Sequence, residues 1–422
     1  MMNLRITLFK LQELYKKNKI SNEYSEIEKH FNFKFRSNKD LEILLNHAKI
    51  STKFYQEVNS LNLDDYPVIN KTLIKSRSED FRSEKHLNEK LIEMTTSGST
   101  GTPFTVFQDQ RKKYRNYADT LFFARRAGFE IGDRVYYMKI WAKQKMAPNW
   151  KYFLQNIIPI DVLNLNNNKI GQIAKQIESE SKNYSILGYV SALEHFIRYF
   201  DSQSLNSFTQ NAKSVITMSE SLGLESKNRL SEIFKCPVVS RYSNLENGII
   251  AQQEIDGKPR FLVNSASYLV EIFDLVNDVK LKDGELGRII LTDLFNFAMP
   301  MIRYDTGDIG SIEREDGLVF LSQVEGRKLD LLFNTKSELV SSYIVYRNMW
   351  QYKEINQYQL LQLTQKSYVF KINCDIKFIH EEKLKSEFLE FLGSDADFKV
   401  EYVNEIPLLN SGKRKKIVNL YK

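Results

Sequence analysis

The chain has 422 residues, 42% of them hydrophobic, and its 60 basic against 53 acidic side chains leave a net charge of +7. That length can bury a sizeable core and favours two or three domains. No apolar run approaches the roughly 18 residues of a membrane-spanning helix, and the basic residues do not form the dense, aromatic-interleaved stripe of a nucleic-acid binder.

The first residues, MMNLRITLFKLQELYKKNKI, carry too short an apolar patch for a signal peptide and no small-residue cleavage site. Residues 1–60 read as helical, with Leu4, Leu8, Leu11, Leu14 and Tyr15 at helix spacing. YPVINKTLIKS (66–76) follows as an irregular segment interrupted by Pro67, and residues 91–94 form a short apolar run of strand character. The stretch EMTTSGSTGTPFTVF (93–107) then concentrates hydroxyls and glycines. Small residues let backbone N–H groups and hydroxyls converge on an anion, although such clusters commonly do no more than turn the chain. A P-loop runs from strand to helix and contains Gly-Lys-Ser/Thr. Here Phe104 and Val106 alternate with Thr105, so the loop lies between two strands, and it has no lysine.

Tyr114, Tyr117, Ala118, Leu121 and Phe122 make a helical stripe. RVYYMKIW (134–141), YSILGYV (184–190), KSVITMS (213–219) and CPVVSRYS (236–243) read as strands. Helical stretches separate them: SALEHFIRYF, where Ser191 and Glu194 have capping-box spacing, and residues 224–234. This rhythm predicts an α/β domain with a largely parallel sheet. Residues 249–324 are turn- and β-rich. Past EGRKLD (325–330) a small α+β unit is expected, with strands at YQLLQL, SYVFKINC and FKVEYV and a helix over 381–392. Cys236 and Cys374 are too far apart for a disulfide framework or zinc site, and buried thiols in a cytoplasmic protein are expected. His47, His86 and His195 lack ligand-like spacing and read as structural.

Four further stretches bear on chemistry. SRYSNLENG (240–248) follows a predicted parallel strand, whose carboxyl end faces the ligand crevice in such sheets. Tyr242 could stack on a base there and Glu246 hold a metal, with Ser243 and Asn244 between them; a polar turn is the plain alternative. PMIRYDTGDIG (300–310) sets Asp305 and Asp308 around Gly307, as hydroxyl or cation ligands or as a hairpin turn. In VEGRKLDLL (324–332), Arg327 either binds an anion or ends a strand. IPLLNSGKRKK (406–416) presents Lys413 as a point charge for phosphate, or is a solvated basic tail.

In this order, the Thr/Ser/Gly loop, Tyr-x-x-x-Glu, Tyr-x-Thr-Gly-Asp, Gly-Arg-x-x-Asp and late Ser-Gly-Lys resemble the adenylate-forming ligase superfamily. The match is closest to its phenylacetate–coenzyme A ligase-like branch, with capsular-polysaccharide-biosynthesis relatives. The resemblance runs from about residue 60 onward. It implies a large N-terminal domain (1–326) of mixed and parallel sheets with helices, whose opening helical region spans about 1–90. A small mobile C-terminal α+β lid (327–422) completes it. The implied activity is ATP-dependent activation of a carboxylic acid through an acyl-adenylate, with pyrophosphate released. The acyl group then passes to a thiol, of coenzyme A or a carrier-protein phosphopantetheine, or to an amine on a sugar or amino acid. By this resemblance Thr96, Ser97, Gly98, Ser99, Thr100 and Gly101 wrap the β- and γ-phosphates. Tyr242 and Ser243 bind the nucleotide, Tyr242 lying against adenine, and Glu246 holds Mg²⁺. Asp308 accepts the ribose hydroxyls with help from Arg327, and Lys413 bridges the attacking carboxylate and the α-phosphate. Tyr189 and Glu220 are candidates for the acyl pocket.

The sequence departs from the family pattern in two places. Lys328, Leu329 and Asp330 follow Gly-Arg where an acidic doublet is usual, and Ser243 replaces a glycine after the tyrosine. Two other readings stay open: a nucleotidyltransferase that moves AMP to a partner, and a non-catalytic nucleotide-binding subunit.

Overall fold

The computed structural model describes residues 4–33, 39–96, 104–141, 148–162, 165–203, 208, 211–327, 332–340, 345, 349, 352, 354–374, 376, 378–407 and 415–421. The strands, in chain order, are β1 (Ile92–Thr96), β2 (Phe104–Gln108), β3 (Arg134–Lys139), β4 (Ile157–Asp161), β5 (Tyr184–Tyr189), β6 (Ala212–Met218) and β7 (Val238–Asn244). They continue as β8 (Gly248–Gln253), β9 (Phe261–Val263), β10 (Tyr268–Phe273), β11 (Gly287–Asp293), β12 (Tyr304–Glu315) and β13 (Leu318–Arg327). The last six are β14 (Leu332–Phe333), β15 (Leu339–Val340), β16 (Ile355–Gln362), β17 (Ser367–Cys374), β18 (Asp397–Tyr402) and β19 (Ile417–Asn419).

One 11-stranded sheet dominates, in the order β10-β11-β12-β13-β9-β8-β7-β6-β5-β3-β4. From β7 to β4 every pairing is parallel; from β7 to β10 every pairing is antiparallel. The expected β-rich stretch after residue 249 therefore extends the same sheet. Parallel strands need covered faces, and helices Asn167–Glu178, Val190–Ser202 and Leu224–Phe234 cover one of them. Their Ile170, Ile177, Leu193, Phe196, Leu230 and Ile233 pack on Tyr136, Ile186 and Val215. The other half, short of crossover helices, folds as hairpins.

The Thr/Ser/Gly loop does join two strands. β1 and β2 pair antiparallel up to Thr96 opposite Phe104. Phe104 and Val106 are buried against Leu294, Met299, Met301 and Tyr304, so their alternation reports a real inward face. Residues 97–103 lie outside the described residues.

A four-stranded C-terminal sheet, β18-β17-β16-β19, has its own core around Leu360, Phe370, Leu384, Phe388 and Phe398. The helix Glu381–Leu392 has the bounds its pattern predicts. The smaller C-terminal domain is thus present. Lys328, Leu329 and Asp330, the departure at the expected boundary, lie outside the described residues.

Two readings change. The helix Leu4–Tyr15 forms, but Leu8, Leu11, Leu14 and Tyr15 are exposed, so that stripe is no core face among the described residues. The capping box at Ser191 does not form. Helix Val190–Ser202 starts two residues earlier, with Tyr189 at its N-cap and no side-chain cap of its own, and Glu220 accepts the Ser191 N–H at 2.7 Å instead. Glu194 is thereby left to meet Lys416 Nζ at 3.2 Å. Cys236 is buried, its thiol pushed up to about 12 by that burial, whereas Cys374 is half-buried. No helix among the described residues is long and apolar enough to cross a membrane.

Burial also raises the pKa of Tyr55, Tyr184, Tyr242, Tyr268 and Tyr304 above the ordinary value. The folded state holds these protons more tightly than the unfolded state, whose tyrosines ionise near 10. Their stabilising contribution is complete below about pH 10 and is lost as pH rises beyond it. Alkaline titration followed by tyrosinate absorbance and circular dichroism should show these phenols ionising together with unfolding. Ionisation near pH 10 with the dichroism intact would contradict this burial.

Candidate active site

The candidate residues gather where the parallel and antiparallel halves of the sheet meet. Tyr242 lies near the carboxyl end of β7, and its hydroxyl donates to Asp308 Oδ2 at 2.7 Å across to β12. Gly307 takes φ +80°, a conformation that glycine adopts without steric cost, and its N–H caps Asp305 Oδ1 at 2.8 Å. That turn separates the two aspartates. Asp305 pairs with Arg288 Nη1 at 3.0 Å, whereas Asp308 turns toward Tyr242. Burial first, and the Asp308 carboxylate second, hold the Tyr242 phenol well above its ordinary pKa, so it stays a donor. Asp308 is also the register partner of Arg327 on β13, which puts the two backbones side by side. The Arg327 side chain is not among the described features.

Ser243 follows a register shift in the β7–β8 pairing. Asn244 then closes the turn by accepting the Asn247 N–H at 2.8 Å, and Glu246 rides on that turn, 2% exposed. Glu246 Oε1 accepts the Tyr304 hydroxyl at 2.8 Å and meets Lys71 Nζ at 2.8 Å. Its carbonyl accepts Gln108 Nε2 at 2.8 Å, from the end of the strand that leaves the Thr/Ser/Gly loop. Asn116 Nδ2 holds Gln108 Oε1 at 3.1 Å. Deeper still, buried Lys112 pairs with Asp293 at 2.7 Å and donates to the Tyr268 hydroxyl, which donates to the Asn247 carbonyl. The loop hairpin and the Glu246 turn are therefore one hydrogen-bonded unit.

Tyr189 and Glu220 also come together: Glu220 is among the charges that raise the Tyr189 phenol, after burial. Glu220 has a structural task as well, since its carboxylate satisfies an orphan N–H at a helix start. The Thr96 backbone ends β1. Ser97, Gly98, Ser99, Thr100, Gly101 and Lys413 lie outside the described residues. Past residue 414 the chain returns to β19, where Lys416 approaches Glu194 and the Tyr358 ring. Two of the three histidines have structural partners: His47 bonds the Phe297 carbonyl at 2.9 Å, and His86 pairs with Glu89.

No protein-family model matches the chain. Protein CapK of Staphylococcus aureus is 24% identical over 414 residues, covering 90% of this chain and 88% of that protein. A 2-hydroxyisobutyryl-CoA ligase in its postadenylation state, in complex with R3-HIB-AMP, superposes with TM-score 0.71 and 16% identity, over 90% of this chain and 88% of that one. The amide bond synthetase McbA of Marinactinospora thermotolerans does so with TM-score 0.57 and 15% identity, over 78% and 69%. The chain has the adenylate-forming ligase fold.

Within this ligase fold, the sequence reading missed Lys71, Tyr304 and Gln108. Lys71 opens the short helix Lys71–Ser76, whose N-cap Asn70 accepts the Leu73 N–H at 2.9 Å. A cation in a first helical turn opposes the helix dipole, and that misfit was the available signal; the Glu246 carboxylate offsets it. Ile69 is bridged to Tyr304, its N–H donating to the Arg303 carbonyl and its carbonyl accepting the Asp305 N–H. This docking explains why YPVINKTLIKS and RYDTGD belong to one site. Tyr304 lay inside a recognised motif; it is fully buried, and its hydroxyl donates to Glu246 with the Asp308 carboxylate nearby. Gln108 carried no local signal.

Gln108→Leu should leave the buried Glu246 carbonyl unpartnered, costing about 1–3 kcal/mol. A lower melting temperature is expected, together with a roughly tenfold fall in any ATP-dependent turnover. An unchanged turnover in a destabilised variant would mean that the Gln108 bond serves stability alone.

Proposed function

We propose that the chain is an AMP-forming ligase. It activates a carboxylic acid with ATP through an acyl-adenylate, releases pyrophosphate, and passes the acyl group to a thiol or an amine. The observation that carries this reading is the convergence of Tyr242, Asp308 and Glu246 at the junction of the two sheet halves. They belong to a fold shared with a CoA ligase in complex with R3-HIB-AMP and with an amide bond synthetase.

In this reading Tyr242 lies against the adenine, its ring pinned by the bond to Asp308, and Ser243 borders the same nucleotide. Asp308 accepts the ribose hydroxyls, with Arg327 beside it, and residues 96–101 surround the outer phosphates. In-line attack on phosphorus requires positioning and charge neutralisation more than covalent help from the protein. Lys413 supplies one positive charge, from the C-terminal domain. Lys71 is another: it sits beside the Phe104 ring at 5.5 Å, where the loop re-enters the hairpin. Tyr189 and Glu220 border the acid. Mg²⁺ is generally held by one or two carboxylates together with substrate phosphates, and the Glu246 carboxylate fits that donor set. Among the described residues no group of three metal-ligating side chains exists. Bound with ATP, the ion would supply further neutralisation of phosphate charge.

Coenzyme A, a carrier-protein phosphopantetheine and an amine remain the acceptor classes. A place in surface-polysaccharide biosynthesis rests on the family resemblance and on the similarity to CapK. Product analysis tests the reading: incubation with ATP, Mg²⁺, hydroxylamine and a panel of acids should yield AMP, pyrophosphate and a hydroxamate. ADP and phosphate as the products would overturn it.

A further inference from the structure

Across the carboxyl ends of the parallel strands runs a row of side chains unlike those beneath it. One layer down, Tyr137, Leu187, Ile216 and Val239 are aligned by register; the last three pack with Ala127. Two residues further on, and so on the same face, stand Tyr189, Met218 and Arg241 in register, with Gln252 beyond. Lys139, one past the Met138 that pairs with Gly188, is level with Tyr189. The row therefore carries two cations flanking Tyr189 and Met218, one residue from Tyr242.

Arg241 is 8% exposed. Its Nε donates to Gln252 Oε1 at 2.9 Å, and Gln252 in turn donates to the Phe123 carbonyl at 2.7 Å. Its Nη2 is enclosed without a hydrogen-bond partner among the described residues. The other buried arginines are treated differently. Arg115 meets Glu23 and Asp119, Arg288 meets Asp278 and Asp305, and Arg303 meets Asp64 and Glu271. No carboxylate pairs with Arg241 among the described residues. Burial lowers its pKa to about 10, which still leaves it cationic at neutral pH. Lys139 lies over the rings of Tyr137 and Trp141, at 4.8 and 4.2 Å, and burial lowers its pKa too. Of the carboxylates beside the row, Glu220 accepts the Ser191 N–H, and Asp161, the register partner of Lys139, accepts the Trp141 N–H at 3.4 Å. Enclosing an unpaired charge is costly, and a guanidinium fork matches a carboxylate.

We propose that Arg241 receives a second carboxylate on the acid, so that the substrate is a small dicarboxylic acid. This rests on the acid-activation reading above. Hydroxamate formation by the full chain should be compared for matched pairs, succinate against butyrate and glutarate against pentanoate. Wild type should favour each diacid at least about tenfold in kcat/KM. Arg241→Gln should raise the diacid KM roughly a hundredfold with KM for ATP little changed, and Arg241→Lys should recover part of the loss. Without acid, the melting temperature of Arg241→Gln should equal or exceed that of wild type. Added diacid should raise the melting temperature of wild type but not of the variant. A preference for monoacids, or a variant destabilised without acid and equally impaired with both acid types, would overturn the proposal. No turnover with any acid, but a diacid-induced melting shift that needs Arg241, would overturn the activation reading and support the carboxylate site. Absence of both would overturn both.

Discussion

Lys413→Ala is expected to lower acyl-adenylate formation by about a thousandfold, the loss of roughly 4 kcal/mol of transition-state stabilisation. The same variant should retain acyl transfer from a synthetic acyl-adenylate. An ammonium that bridges the attacking carboxylate and the α-phosphate is needed while charge builds at phosphorus, and has no part once AMP is the leaving group. The lysine lies in sequence between β18 and β19 of the C-terminal sheet, and in the proposed reading domain closure would supply it for one half-reaction and withdraw it for the other. The nearby Lys416–Glu194 pair joins that domain to the helix after β5 at 3.2 Å. Single-turnover assays of each half-reaction check this. Equal loss of both would sink the assigned role.

Glu246→Gln should be nearly as damaging to catalysis while sparing the fold. The amide oxygen still accepts the Tyr304 hydroxyl, but the charge that holds Lys71 is gone. Lys71 is partly exposed and can be resolvated, so the stability cost should be small, about 1 kcal/mol. Adenylation should fall by roughly a hundredfold, and the Mg²⁺ concentration for half-maximal rate should rise. Titrating Mg²⁺ against the initial rate separates the outcomes. A variant with normal metal dependence and a lowered melting temperature would make Glu246 a structural carboxylate, the partner of Tyr304 and Lys71 and nothing more.

Much of the fold was legible because it is local. The helix over 224–234, the strand over 367–374 and the helix over 381–392 appear with the bounds their patterns predict, since hydrophobic period and flanking turns decide them. The strand–loop–strand setting of the phosphate-type loop was equally local. Contacts that close long sequence distances were harder to read. Residues 249–324 continue the main sheet through pairings such as β13 with β9, Phe320 opposite Leu262, which no local period encodes. Ser191 and Glu194 had the right spacing, yet Glu220 took the cap, because a tertiary partner was better placed than a helical one. At the site, Tyr242, Glu246 and Asp308 stand in recognisable motifs. Lys71, Gln108 and Arg241 gain their meaning only from their surroundings: a carboxylate beside Lys71, a carbonyl beside Gln108, and no pairing carboxylate beside Arg241 among the described residues.

Exchange of labelled pyrophosphate into ATP, measured across fatty, aryl, hydroxy, amino and dicarboxylic acids, tests the central claim most directly. Reversible adenylation predicts exchange that requires both the protein and one class of acid, and that disappears in Lys413→Ala. Silence with every acid, with nucleotide still bound, would contradict an adenylate-forming enzyme and leave a binding subunit.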